Sequence, residues 1–328
     1  MQVILPLAGK GTRVRPHTHS RPKPLLRVRN KPVLAHVIDT VRAAGADEAI
    51  CITGHLAGHI ESYLEAEYPD LRCTYVEQTV QLGTAHAIGL AESYVHEPVL
   101  VIFVDTLFDA DFGIIERRSE DDGIIWAKEV EDYQRFGVIV TDADGYMETI
   151  VEKPSEPISK LANIGVYYIR NYELMFEGIR DVMSRDPNKG EYYLTDAFQY
   201  MIDHGAKLYT AEVDGWYDCG KVETVLETNR ILLERGGGRH TAGSSAGATL
   251  ADPVCIAPDV VLEDSEVGPN VSIAAGSVIR GSRLRDCIIG ENTHLKRCDL
   301  HDSLVGDHAV LEGVTGRANI GDHGEIRA

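Results

Sequence analysis

The chain has 328 residues, of which 44% are hydrophobic and 25% charged, enough for one large globular domain with an appendage, or for two domains. Its formal net charge of −19 argues against a general binder of nucleic-acid polymers, because affinity for a phosphate backbone rests on Lys and Arg. Six scattered cysteines with no CxxC read as free thiols of a reducing cytosol, and no apolar run approaches a membrane span, so a soluble cytoplasmic protein is expected.

Residues 2–8, QVILPLA, read as a buried strand ending in a glycine turn, Gly9-Lys10-Gly11-Thr12-Arg13. No Asp or Glu precedes Asp39, yet Lys10, Arg13, Arg15, Arg21, Lys23, Arg27, Arg29 and Lys31 all do, a local inversion in an acidic chain. Glycines that admit backbone N–H groups, followed by cations, are what a polyphosphate needs. The pattern is not a P-loop, since no Ser or Thr follows Lys10 at the required spacing. Arg21, Arg27 and Arg29 read as a solvated basic rim, and His17 and His19 as exposed residues of the same loop.

After Pro32 a helical pattern carries Val33, Val37 and Val41 on one face until Gly45. Strands over 48–53, 72–76 and 98–104 alternate with helices over 56–66 and 84–94. This alternation predicts a parallel sheet with helices on both faces and ligands at the carboxyl ends of its strands, where Gly9–Arg13 and Asp105 lie. Asp105 is either a metal ligand or the N-cap of a helix over 106–118. The pattern then changes to antiparallel strands at 124–129, 137–140, 146–152 and 164–169, with helices over 171–183, 192–204 and 222–234 and a strand at 207–212.

A Gly/Ser/Ala-rich stretch, 236–249, reads as a linker. Beyond it, Cys255, Val261, Val267, Ile273 and Ile279 recur every six positions, and Leu284, Ile289, Leu295, Leu300, Val305 and Leu311 continue in steps of five or six. That period fits one face of a three-sided β-solenoid of about three to four coils. The expected division is therefore 1–235, a linker at 236–249, and a β-helix at 250–328.

Several segments in fixed order resemble the sugar-1-phosphate nucleotidyltransferases. They are Gly9–Arg13 with Arg21-Pro22-Lys23-Pro24, the stretch Glu77–Ala85 (EQTVQLGTA), Asp105, Phe136-Gly137-Val138, Val151-Glu152-Lys153-Pro154, Asn163-Ile164-Gly165-Val166-Tyr167 and Trp216-Tyr217-Asp218-Cys219-Gly220. The resemblance covers residues 1 to about 235 and implies a Rossmann-like mixed sheet of GT-A type, an α/β fold, with the tail similar to the left-handed parallel β-helix often fused to it. It implies that Gly9, Gly11 and Thr12 wrap amides around a triphosphate, that Arg13 holds the leaving pyrophosphate, and that Lys23 addresses the α-phosphate. Gln78 and Gly83 would read a pyrimidine base, with Gln81, Thr84 and the backbone of Ala8 beside them. Glu152, Lys153, Asn163 and Gly137 would hold the sugar phosphate. Trp216 packs beside the sugar or in the core. Asp105 and Asp218 would share a Mg²⁺ ion, although the family usually carries Gly where Val104 precedes the first aspartate.

The expected reaction is in-line attack of a sugar-1-phosphate on a nucleoside triphosphate, dTTP or UTP with glucose-1-phosphate being favoured. The alternative within the class is a mannose-1-phosphate guanylyltransferase, and outside it a non-catalytic regulatory subunit that binds nucleotide sugars. The short tail is expected to support a homo-oligomer rather than an acyltransferase site.

Overall fold

The structure is a computed structural model describing residues 1–188, 190–236, 239–240 and 244–328. The chain forms two compact units, one of Met1–Gly9 with Val37–Trp216, the other of Lys10–His36 with Tyr217–Ala328. The chain thus leaves the first unit at the glycine turn and re-enters it within the helix that Pro32 introduces.

The first unit is built on a nine-stranded mixed sheet. Its strands are β1 (Gln2–Pro6), β2 (Glu48–Thr53), β3 (Arg72–Glu77), β4 (Val99–Ile102), β5 (Gly123–Glu129), β6 (Gly137–Thr141), β7 (Met147–Glu152), β8 (Leu161–Ile169) and β9 (Leu208–Glu212). The helices of six or more residues among the described residues are α1 (Val33–Ala43), α2 (Ala57–Glu67), α3 (Thr84–Gly89), α4 (Tyr172–Met183), α5 (Leu194–Asp203) and α6 (Val222–Gly236). The sheet order is β7-β6-β8-β4-β1-β2-β3, with β5 on β8 and β9 on β5. β3, β2, β1 and β4 run parallel, and β8 turns the sheet antiparallel. The central strands are continuous apolar runs because both faces are covered: Val3, Ile4 and Leu5, and Val99 to Ile102, are fully buried. α3, α4 and α5 pack on one another, with Met175, Phe176, Ala197 and Phe198 in the core they share with the sheet.

Two expectations for this unit are corrected. No helix spans 106–118: Thr106–Asp109 is a short strand, and a helix occupies only Ile114–Arg117. Asp105 therefore caps no helix there. The helix expected over 84–94 stops at Gly89, and a separate 3₁₀ turn covers Glu92–Tyr94.

In the second unit, parallel strands stack into a β-helix. Val261 pairs with Val278, Val278 with His294, His294 with Val310 and Val310 with Glu325, so the coil shortens from 17 to 16 to 15 residues. Coils this short pack more turns into the tail than the expected three to four. Val267, Ile273, Ile279, Leu284, Ile289, Leu295, Leu300, Val305 and Leu311 are buried, as the period predicts. Cys255 and Val261 are only half-buried; the inward positions there are Val254, Ile256, Val260 and Leu262. Corners turn through left-handed residues, among them Asp264, Asn270, Asn292 and His308, where small polar side chains tolerate positive φ. Of the segment expected as a linker, residues 237–238 and 241–243 lie outside the described residues. Ser244–Ala246 already pairs in parallel with Val261–Glu263. α6 packs on the coils, and Asn229 accepts a 2.7 Å bond from Ser272.

Leu284→Ala in the solenoid core is expected to cost about 2–5 kcal/mol of unfolding free energy. Denaturant titration measures it, and a loss below about 1 kcal/mol would contradict the burial of this residue.

Candidate functional site

Within the first unit, the strip after β3 is tied back to the end of β1. The Gln78 amide N–H is bonded to Thr53 O at 2.7 Å, and its side chain is buried. Gln78 Nε2 lies 3.0 Å from His86 Nδ1. Burial lowers the His86 pKa below its ordinary value, so the ring is neutral at pH 7 and its Nδ1 accepts from the amide. Gln81 donates from Nε2 to Ala8 O, fixing the turn that follows β1. Gly83 has a structural duty of its own. Its φ is +108°, and a Cβ would lie 2.4 Å from Tyr192 O. Thr84 Oγ1 accepts the Leu194 N–H at 2.9 Å, so this hydroxyl anchors the start of α5. Val80 and Leu82, beside these residues, are exposed apolar side chains.

A second cluster forms where β6, β7 and β8 adjoin. Gly137 faces Asn163 so closely that a Cβ would sit 2.2 Å from Asn163 Nδ2. That nitrogen donates to Gly137 O at 3.0 Å, while Asn163 Oδ1 accepts the Tyr167 hydroxyl. The register of β8 against β5 shifts between Asn163 and Tyr167, and Gly165, at φ +79°, carries the irregularity. Glu152 Oε2 accepts from Thr195 Oγ1 at 3.2 Å, and Lys153 Nζ lies 3.4 Å from Glu152 Oε1. Lys153 also stands over the Tyr193 ring, 4.8 Å from its centroid, with its backbone left-handed at φ +46°. Burial raises the Glu152 pKa, with Lys153 and Thr195 opposing it. Trp216 packs edge-on against Phe136, ring centroids 5.0 Å apart, and its buried Nε1 has no hydrogen-bond partner among the described residues. Asp105 follows β4 and is half-buried. The Tyr167 phenol is pushed up by burial and then by the charges of Glu152 and Asp105.

Thr195 and Tyr193 are the members of this cluster that sequence reasoning did not single out, and Tyr167 entered it only as the end of the segment Asn163–Tyr167. Thr195 and Tyr193 sit at the start of α5, far along the chain from Glu152, and no spacing connects them to it.

In the second unit, Gly11 is left-handed at φ +58°, and a Cβ would meet Thr18 Cγ2 at 2.9 Å and Lys23 Cβ at 3.0 Å. Thr18 Oγ1 donates to Gly11 O at 2.8 Å, closing the turn from inside. Thr12 and Arg13 open a 3₁₀ turn and are exposed; Lys23 opens another. Asp218 Oδ1 accepts the Gly220 N–H at 2.7 Å, and a Cβ on Gly220 would lie 2.7 Å from that oxygen and 3.2 Å from Arg13 Nη2. Asp218 and Arg13 thus border one glycine. A cavity of about 540 Å³ opens beside Arg13 and Arg15, lined also by Glu223, Glu227 and Arg230 of α6 and by Asp302 and Arg317.

The rest of the loop differs from expectation. Arg21 and Arg27 are no solvated rim: both pair with Asp307, and Arg27 also with Glu291. Arg29 Nη2 donates to Gly236 O at 2.9 Å. His17 is buried, with Nε2 2.7 Å from Asn319 Oδ1, and burial lowers its pKa; His19 is exposed.

A family model described as nucleotidyl transferase matches residues 2–235. The chain belongs to the nucleotidyl transferase family. It is 30% identical to a glucose-1-phosphate thymidylyltransferase of Streptomyces antibioticus over 95% of this chain and 99% of that one. It is 32% identical to a UTP–glucose-1-phosphate uridylyltransferase of Haloferax volcanii over 71% of this chain and 97% of that one. A crystal structure of UDP-glucose pyrophosphorylase complexed with UDP-glucose superposes with a TM-score of 0.63 at 25% identity, covering 71% of this chain and 98% of the other.

Nucleotidyl transferases of this family generally use a divalent metal. Asp105 and Asp218 offer oxygen donors only, and among the described residues no group of three or more His, Cys, Asp or Glu could hold a metal by itself. Carboxylate oxygens without His or Cys suit a hard cation that keeps water and substrate oxygens in its shell, so the residues fit the group.

Gly137→Ala in this nucleotidyl transferase is expected to cost about 1–3 kcal/mol, since the new methyl displaces Asn163 and Thr195. It is also expected to impair turnover. Unfolding titrations and rate measurements on the same variant check both, and unchanged stability with full turnover would contradict the close approach.

Proposed function

We propose that the protein transfers a thymidylyl or uridylyl group from dTTP or UTP to glucose-1-phosphate, releasing pyrophosphate. It is an enzyme of the sugar-1-phosphate nucleotidyltransferase type. The observation that carries the substrate reading is the Gly137–Glu152–Lys153–Asn163 corner. A half-buried carboxylate and a buried side-chain amide stand beside an ammonium there, a set that suits sugar hydroxyls next to one phosphate. The thymidylyl and uridylyl activities of the two relatives support the choice of pyrimidine and of glucose.

In this reading a phosphate oxygen of the sugar-1-phosphate attacks the α-phosphorus in line. The new P–O bond forms as the bond to the bridging α,β-oxygen breaks, and no covalent enzyme intermediate is needed. Lys23 meets the charge that grows on the α-phosphate, and Arg13 stabilises the departing pyrophosphate. Gly9, Gly11 and Thr12 direct backbone N–H groups at the phosphates. Glu152 accepts from sugar hydroxyls, Lys153 orients the sugar phosphate, and Trp216 Nε1 supplies a further donor. Asp105 and Asp218 would hold a divalent cation such as Mg²⁺, which when bound would neutralise phosphate charge. Gln78 reads the base: with Nε2 held by neutral His86, its amide keeps one N–H and its carbonyl oxygen for the acceptor–donor–acceptor edge of uracil or thymine. Gly83 and Gln81 border the same base, with Thr84 and the Ala8 backbone.

No described helix is long and apolar enough to cross a membrane. We place the enzyme in the cytoplasm, consistent with six free thiols. We propose a homo-oligomer formed through the β-helix, whose strand Glu325–Arg327 is exposed along its length.

Asp105→Asn is expected to lower kcat about 10²–10³-fold while the circular dichroism spectrum is kept. Gln78→Ala is expected to lower kcat/KM for dTTP and UTP about 10–100-fold, and to leave any residual GTP rate unchanged. Steady-state pyrophosphate release measures both. Full activity of Gln78→Ala on pyrimidines would refute the assigned base reader.

A further inference from the structure

One corner of the β-helix carries an acidic residue in each of three successive coils: Glu291, Asp307 and Asp322, each preceded by a glycine. The glycines are required by space. A Cβ on Gly290 would lie 2.4 Å from Asp307 Oδ1, and one on Gly306 would lie 2.5 Å from Asp322 Oδ1. The carboxylates run as a ladder along the backbone. Asp307 Oδ1 accepts the Glu291 N–H at 2.9 Å, and Asp322 Oδ1 accepts the Asp307 N–H at 2.8 Å. The side chains of Asp307 and Asp322 are 8% and 10% exposed. Like charges in neighbouring coils, out of water, need cations close by.

The cations come from the glycine loop. Arg21 pairs with Asp307 and lies 3.6 Å from Asp322. Arg27 Nη1 donates to both oxygens of Asp307 at 3.2 Å, and its Nη2 to Glu291. Ser20 donates to Asp322 Oδ2 at 2.8 Å. Burial alone would push the Asp307 carboxyl up, yet Arg21 and Arg27 hold it below its ordinary range. The two arginines bracket Lys23, and the only strands of the loop are the two-residue ribbon of Arg27–Val28 and Lys31–Pro32. Its other internal bonds are mostly local, closing single turns such as Val14 on Gly11 and Leu25 on Pro22, so longer-range contacts are left to tie the turns to one another.

We propose that Asp307 is a positioning residue for nucleotidyl transfer: it clamps Arg21 and Arg27 and thereby holds Gly11, Thr12, Arg13 and Lys23 in the conformation that meets the triphosphate. The β-helix is then a scaffold for the phosphate loop. Asp307 touches no substrate and acts only through the loop. The kinetic part rests on the proposed function; the ordering of the loop does not.

The test combines hydrogen–deuterium exchange with kinetics on the full chain. In Asp307→Asn, peptides covering residues 10–28 should exchange at least tenfold faster, while those of β1 and β4 keep their protection. KM for the triphosphate should rise about tenfold or more, with an unchanged KM for the sugar-1-phosphate. Asp307→Glu should restore part of both effects. Arg27→Gln leaves the Asp307–Arg21 pair in place and should move the same readouts less, which keeps the test usable if Asp307→Asn does not fold. Glu266→Gln, at an exposed pair with Arg283, should match the wild type. Unaltered exchange in 10–28 would overturn the clamp, as would an equal rise in both KM values with protection lost everywhere. A wild type without turnover would sink the functional reading and leave the exchange result to decide the clamp.

Discussion

A carboxylate taken out of water must be met by cations, and around Asp307 this requirement organises the second unit. Arg21 and Arg27 meet it, and the loop that carries them is held against the coils of the β-helix. His17 on Asn319, Ser20 on Asp322 and Asn30 on the carbonyls of Cys255 and Ile273 extend the same attachment. The local charge inversion near the start of the chain is therefore not of one kind. Some of its cations neutralise the protein's own acids. Others do not pair there: Arg13 and Arg15 are exposed and line a cavity with Glu223, Glu227 and Arg230.

The first unit contributes precision of another kind. Its corner depends on an interruption in β8, where the register slips at Gly165 and Asn163 turns its amide to Gly137. A regular strand would have continued pairing with β5 through that point. The missing Cβ of Gly137 is what allows Asn163, Thr195 and Glu152 to converge. Buried polar groups in such a place are stable only when satisfied, and Asn163, Thr195 and Glu152 each have partners there. The orphaned Trp216 Nε1 stands out against that background.

Much of this was legible in the residues. Continuous apolar runs identified β1, β2 and β4, and the strict recurrence of small and apolar residues identified the solenoid. The misreadings have physical reasons. His17 looked exposed because it sits in a polar, proline-broken stretch, but its partner Asn319 is 302 residues away. The arginines looked solvated for the same cause. The Cys255 and Val261 register slipped by one because the inward step from Leu262 to Val267 is five residues, so six-residue steps extended back from Val267 land one position early. The stretch 106–118 mixed acidic and apolar residues in a pattern compatible with a helix, and pairing made Thr106–Asp109 a strand instead. Thr195 and Tyr193 could not be linked to Glu152 because only the packing of α5 brings them there.

These elements together describe a nucleotidyl transferase in which the Gln78 strip and the Gly137–Asn163 corner are built on the sheet, and the loop carrying Arg21 and Arg27 is paired with the acidic corner of the β-helix. The central claim is the reaction itself. Its most direct test is a pyrophosphate-release screen of the purified full chain with Mg²⁺, pairing each common nucleoside triphosphate with a panel of sugar-1-phosphates. Rapid release with dTTP or UTP and glucose-1-phosphate, one nucleoside diphosphate sugar formed per pyrophosphate, is the predicted result. Release confined to GTP with mannose-1-phosphate, or no release with any pair, would contradict it.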